Sequence, residues 1–310
     1  MDGSEAVTKS SATRGWLDWV LWGFIGMAAV IAVLNGLRLS EVVTRHGPSA
    51  LVFFLVLFAW GHGFRRYGLK SLLVFIAIVF VVGNFYENIS IATGFPFGAY
   101  HYTETLGAKF IFTPLIINIA YFQMIYLAWN FGGAIIGSFE NGVRGRYVIV
   151  QPVLSTFITV MWDLSMDPGM STVSRNWEWH EGGAYFGVPI QNFYGWYLCT
   201  FTMFLLFSLY MSRQGGEAAP DFVYTKRNWV QLTTAYGVLI LNLVLLGLSS
   251  DDVGAQARDG FAWRAKDIRL SGGLIAVGTM LFIAVLVLSK TVLLGELGRR
   301  EKQASGPRGG

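Results

Sequence analysis

Cysteine, histidine and charge are all scarce in this chain. Of its 310 residues one is a cysteine, Cys199, and four are histidines, His46, His62, His101 and His180. A lone cysteine excludes an intrachain disulfide and a thiolate metal cluster. Scattered histidines without His-x-x-His spacing exclude the histidine-rich ligand set of a membrane di-iron hydroxylase or desaturase. No Gly-Lys-Ser/Thr phosphate loop and no dinucleotide fingerprint is present, so ATP and redox nucleotides have no recognisable site. Charged residues make up only 14% of the chain, where a soluble domain carries about 25%.

Apolar residues fill that space. The chain is 54% hydrophobic and its mean hydropathy is +0.49. Runs of roughly 20 apolar residues suit a hydrocarbon core of about 30 Å. Eight such runs stand out, near 16–37, 48–64, 69–88, 110–137, 147–166, 192–211, 229–250 and 272–294. The second is short and the fourth long, which leaves seven spans as an alternative. The expected fold is an all-α polytopic bundle in the lipid bilayer, one domain over 16–294 with its functional core at 70–210. Residues 1–15 and 295–310 read as polar tails. The 16–37 run is too long for a signal-peptide core and reads as a retained span.

The net charge of +4 and pI near 9.1 suggest nucleic acid only until the positions are read. Lys and Arg lie almost entirely between apolar runs, as membrane topology requires. Nucleic acid is therefore not an expected partner. With eight spans the richer share of Lys and Arg falls on the side of the termini, which predicts both termini in the cytoplasm. Three connections are long, 89–109, 167–191 and 251–271, and all emerge on the opposite side. A faint echo, Gly98–Tyr100 and Gly183–Tyr185, is too short to establish a repeat.

Two of those connections begin where an apolar run meets a carboxylate. Asn84, Glu87 and Asn88 share one helical face at i, i+3 and i+4. Asp163 and Asp167 are also one turn apart, and Pro168 predicts a helix end beside Asp167. An ionisable group at such depth normally faces a protein interior or a wet cavity. Burial, a like-charged neighbour and a helix C-terminus all oppose the charged form of a carboxyl group. An acid held in its neutral form is a competent proton donor. Each acid taken singly is as well explained by helix-to-helix hydrogen bonding; three at one level favour function.

Aromatic residues crowd both segments. Trp162, Trp177, Trp179, Tyr185, Phe186, Phe193, Tyr194 and Trp196 stand in one, and Phe85, Tyr86, Phe95, Phe97, Tyr100 and Tyr102 in the other. About half of them suit the interfacial belt of a membrane protein. The rest suit a slot whose ring faces stabilise a carbocation. His101 and His180 read as polar lining of that slot.

Taken in order, Glu87, Thr93-Gly94, Pro96-Phe97-Gly98, Tyr100, Tyr102, Leu106-Gly107 and Pro114 form a pattern. It continues through Trp162-Asp163, Met166-Asp167-Pro168, Trp177, Trp179, Gly183, Tyr185 to Pro189, Asn192-Phe193 and Gly195-Trp196. This pattern resembles the carotenoid-biosynthesis membrane family, which includes the carotenoid 1,2-hydratases of the bisanhydrobacterioruberin and γ-carotene type. The resemblance covers roughly residues 70–210. It implies cofactor-free hydration of a terminal isoprenoid double bond on a hydrophobic polyene, giving a tertiary alcohol.

The residue reading fits that chemistry. Protonating a trisubstituted alkene at its less substituted carbon gives a tertiary cation that water captures. Asp163 or Asp167 is the expected acid, with Glu87 and Asn84 placing the water. Trp162, Trp177, Trp179 and Tyr185 are the expected lining, and the motif adds Tyr100, Tyr102 and Asn192 as substrate-binding residues. No metal is expected under this reading. A rival is an intramembrane isoprenoid transferase or cyclase, with Mg²⁺ on Asp163 and Asp167. In it Asp251-Asp252 form a second acidic site, and Arg258, Arg264, Lys266 and Arg269 hold diphosphate. A proton-coupled transporter predicts acids at helix centres and helices broken at mid-membrane, which the pattern lacks.

Overall fold

A computed structural model describes residues 3–214, 222 and 224–294. The described chain is a helical bundle with seven helices long and apolar enough to cross a membrane. They are α1 (Gly3–Gly36), α2 (Glu41–Thr93), α3 (Leu115–Ile136), α5 (Tyr147–Pro168), α6 (Ile190–Arg213), α7 (Lys226–Leu248) and α8 (Ala265–Leu293). A single turn, α4 (Ser138–Asn141), follows α3. The helix α1 takes in most of the expected N-terminal tail, and the expected tail at 295–310 lies outside the described residues.

The seven helices still make eight passes, because α2 folds back on itself. Its 53 residues would extend about 80 Å if straight, far more than a bilayer. At Gly68 the backbone turns to φ 69°, ψ 172°, a conformation glycine adopts without a Cβ penalty. The reversal is tight: a Cβ placed on Gly63 would lie 2.9 Å from Leu72 Cδ1. Tyr126 of α3 accordingly meets both arms, bonding His62 at 2.6 Å and packing its ring 6.4 Å from that of Phe75. The expected runs at 48–64 and 69–88 are these two arms.

Contacts between helices fix the order of passes. At one end Asp18 of α1 pairs with Arg65 beside the α2 turn and with Arg227 of α7. At the other end Arg38 pairs with Asp251. The three long connections meet at that second end. Short strands β1 (Tyr100–Tyr102) and β4 (Trp177–Trp179) pair antiparallel, with Tyr100 opposite Trp179 and Tyr102 opposite Trp177. Arg175 donates to the Gln256 carbonyl at 2.7 Å, and Arg258 reaches Glu178 at 2.6 Å. Two hairpins complete the sheets among the described residues, β2 (Lys109–Phe110) with β3 (Thr113–Pro114), and β5 (Gly254–Gln256) with β6 (Ala262–Arg264).

Small residues let the helices approach where the site is built, as is usual between membrane helices. A Cβ on Gly195 of α6 would lie 2.6 Å from the Phe97 ring. One on Gly272 of α8 would lie 2.3 Å from the Ser165 carbonyl oxygen of α5. Gly272→Val therefore separates α8 from α5. Overpacking of this kind costs about 1–3 kcal/mol. The expected result is a clear fall in the melting temperature of the protein in detergent. Gly278→Val, at a position with nothing within 4 Å, should leave it unchanged.

Candidate active site

Pro168 shapes the first wall of the site. Proline has no N–H, so the carbonyl four residues earlier, Leu164, loses its helical donor. The Tyr185 hydroxyl takes that place, donating to Leu164 O at 2.9 Å. The helix does not end beside Asp167 as the sequence suggests. It widens into a π-type turn over Gly169–Val173 and carries Asp163 and Asp167 side by side into the bundle.

The second wall comes from the β1–β4 pair. Side chains alternate across a strand, so Tyr100, Tyr102, Trp177 and Trp179 turn inward and are buried. His101, Glu178 and His180 turn outward. His101 and His180 contact each other at 3.0 Å, and neither lines the cavity as the sequence suggests. Burial and the neighbouring His180 push His101 below the usual histidine range. Arg258 and Arg175 hold Glu178 below the usual carboxylate range.

Between these walls lies a cavity of about 40 Å³. Its lining includes Glu87, Asp163, Asp167 and Asn192, the aromatic residues Tyr100, Tyr102, Trp162, Trp177 and Trp179, and also Tyr121, Trp196, Phe97 and Met166. The three acids are buried, with relative exposures of 2% for Glu87, 1% for Asp163 and 2% for Asp167. The sequence-derived set thus converges on one space, apart from two members. Asn84 donates to Asn118 Oδ1 at 2.6 Å and is not on the cavity wall. Tyr185 braces the widened helix and also stands off the wall.

Hydrogen bonding separates the acids. Glu87 accepts from three phenols: Tyr121 on Oε1, Tyr100 on Oε2, and Tyr102 on Oε2 at 2.9 Å. Asp167 accepts from Trp177 Nε1 at 3.0 Å on Oδ1 and from Asn192 Nδ2 at 2.7 Å on Oδ2. The same Asn192 amide donates to Asp163 Oδ2 at 3.1 Å. Asp163 Oδ1 is buried without a partner, alone among the six carboxyl oxygens. Trp179 Nε1 is a second buried group without a partner. The phenols of Tyr100 and Tyr102 are pushed well above the usual tyrosine range, first by burial and then by Glu87.

Tyr121 is the main residue that sequence reasoning misses. It lies inside an apolar run, where a tyrosine passes for core. The available signal is its spacing: Asn118 and Tyr121 stand at i and i+3, two polar groups on one face of a buried helix. The groups of the 251–271 loop do not gather around Asp163 and Asp167. Arg264 pairs with Asp252 and Asp267, and Arg258 with Glu178. Among the described residues no cluster of three metal-ligating side chains occurs.

Raised phenol values give a direct check. A phenol held above its usual range stays protonated as pH rises, until the fold opens. In an absorbance titration Tyr100→Phe/Tyr102→Phe should therefore leave the native tyrosinate signal unchanged below the unfolding pH. In denaturant the same variant should lose the signal of two tyrosines. A native signal smaller than wild type would show the pair to be titrating freely.

No solved structure matches this chain. It is 31% identical over 140 residues to a curated protein named bisanhydrobacterioruberin hydratase from Haloarcula japonica. That alignment covers 42% of this chain and 42% of the relative, so it spans less than half of the relative's length. Residues 46–252 match the family described as carotenoid biosynthesis protein. That match takes in both arms of α2, the β1–β4 pair and all three acids, and the chain belongs to the carotenoid biosynthesis protein family.

Proposed function

We propose that this protein adds water across a terminal isoprenoid double bond of a carotenoid or related polyene, with Asp163 as the proton donor. The observation that carries the assignment is the unpartnered Oδ1 of Asp163, a residue of the cavity wall. Glu87 is ringed by three phenolic donors, an arrangement that suits an acceptor and leaves it no direction in which to give a proton. Both Asp167 oxygens are likewise occupied. Two carboxyl groups this close favour holding a single proton between them. The free face of Asp163 is where that proton can reach a substrate.

The reaction then balances with water alone. The Asp163 carboxyl proton goes to the less substituted alkene carbon, whose π pair forms the new C–H bond. A tertiary cation remains, faced by the rings of Trp162, Trp177, Trp179 and Trp196, which stabilise positive charge. Water attacks the cation, and the proton it sheds returns to the Asp163–Asp167 pair. Trp179 Nε1, buried and unpartnered, is a donor able to hold that water. The Haloarcula relative's name, a hydratase, supports this reading, as does the family match. We further propose that the end of the bundle carrying Arg65, Arg66 and Arg227 faces the cytoplasm, following the bias of basic residues.

Co-expression in a lycopene-producing bacterium, with pigments analysed by mass, tests the activity. The wild type should add one water per reacting end, and chelator should not diminish turnover in membranes. General-acid contributions are typically about 10²–10⁴-fold, so Asp163→Asn should cost activity on that order. Glu87→Gln, which leaves the donor in place, should retain more activity than Asp163→Asn. Full activity in Asp163→Asn would remove it from the role. Chelator-sensitive turnover of prenyl diphosphates would favour the transferase reading instead.

A further inference from the structure

The acid cavity is small for its proposed substrate. At about 40 Å³ it has room for roughly two or three waters, less than a branched five-carbon end group requires. A second cavity, of about 160 Å³, adjoins it. The two share Trp162 and Met166 as wall residues and no others.

The second cavity is elongated along the helices. On α7 it is lined by Leu239, Asn242, Leu243 and Leu246, spaced i, i+3, i+4 and i+7 on one helical face. Seven residues of helix rise about 10 Å, so the space runs at least that far parallel to the bundle axis. Its remaining wall comes from α1, the first arm of α2, α3, α5 and α8, and is mostly apolar. A mostly apolar space that runs along the helices and adjoins the acid cavity through Trp162 and Met166 matches a rod-like chain with a reactive end.

We propose that this slot holds the stretch of polyene next to the reacting end, and that Trp162 and Met166 are the movable partition through which the end reaches Asp163. The proposal rests on the hydration reading for the chemistry, and on the two cavities alone for the binding. Met166 is unbranched and readily changes shape. Trp162 meets Trp196 edge-on at 6.2 Å, and no hydrogen bond ties its indole among the described residues. Neither side chain is fully buried, so each can swing without leaving a buried polar group behind. The slot then selects for chain, while the acid cavity selects for end group.

The experiment fills the slot without touching the acids. Leu243→Phe/Leu246→Phe adds two rings from α7, and Val52→Phe adds one from the opposite wall, which keeps the test open should the α7 pair fail to fold. Lycopene binding to purified protein is read by quenching of tryptophan fluorescence, and turnover by hydration of lycopene and of 2-methyl-2-butene, a five-carbon end group with no chain to place in the slot. The expected result is at least tenfold weaker lycopene binding, with kcat/KM for the five-carbon alkene falling far less than that for lycopene. Unchanged lycopene affinity in the filled variants overturns the slot, as does a wild type that binds no lycopene. Weakened binding in a protein that hydrates neither compound supports the slot and overturns the hydration reading.

Discussion

Three carboxyl groups lie around one small space inside the bundle, and each of them has to be given hydrogen-bond donors. Moving a carboxylate from water into such surroundings without partners is prohibitive. The two loops that carry the donors are therefore bound to the helices that carry the acids. Tyr100 and Tyr102 reach Glu87 only because β1 pairs with β4. Trp177 reaches Asp167 from the facing strand of that same pair. Asn192, at the start of α6, holds Asp163 and Asp167 with one amide. What would be a liability in a membrane bundle becomes the clamp that joins α2, α5, α6 and the two loops.

The donors are unequally shared, and the proposed chemistry follows from that inequality. Five of six carboxyl oxygens are engaged, and the sixth belongs to Asp163, a residue of the cavity wall. A site built only for stability would gain from closing that last position. Under the proposed hydration the open position keeps one acid available to a substrate, and the indole rings of the cavity wall offer the surroundings a transient cation needs.

Much of this was legible in the sequence, for identifiable reasons. Apolar runs report membrane helices directly, because a bilayer demands both length and composition. Carboxylates at the ends of such runs marked Glu87, and one-turn spacing paired Asp163 with Asp167 on their helix. The eight-span topology put both clusters at one level, and the resemblance added the motif that joins them. Other features escaped because they depend on contacts between distant segments. Pro168 reads as a stop, but Tyr185 supplies the missing donor and the helix widens and continues. Asn84 reads as a partner of Glu87 by spacing, yet Asn118 on α3 takes its amide. His101 sits between two inward tyrosines, and the period-two alternation that turns it outward exists only once the strand is formed. Tyr121 is hidden by the apolar run around it.

The central claim is that Asp163, and not Glu87, carries the transferable proton. Infrared spectroscopy of the purified protein reads it directly, through the carbonyl stretch of a neutral carboxylic acid and its shift in heavy water. The account predicts a buried-acid band that disappears in Asp163→Asn and persists in Glu87→Gln. A band that survives in Asp163→Asn and is lost in Glu87→Gln would contradict it and move the proton to the tyrosine-ringed glutamate.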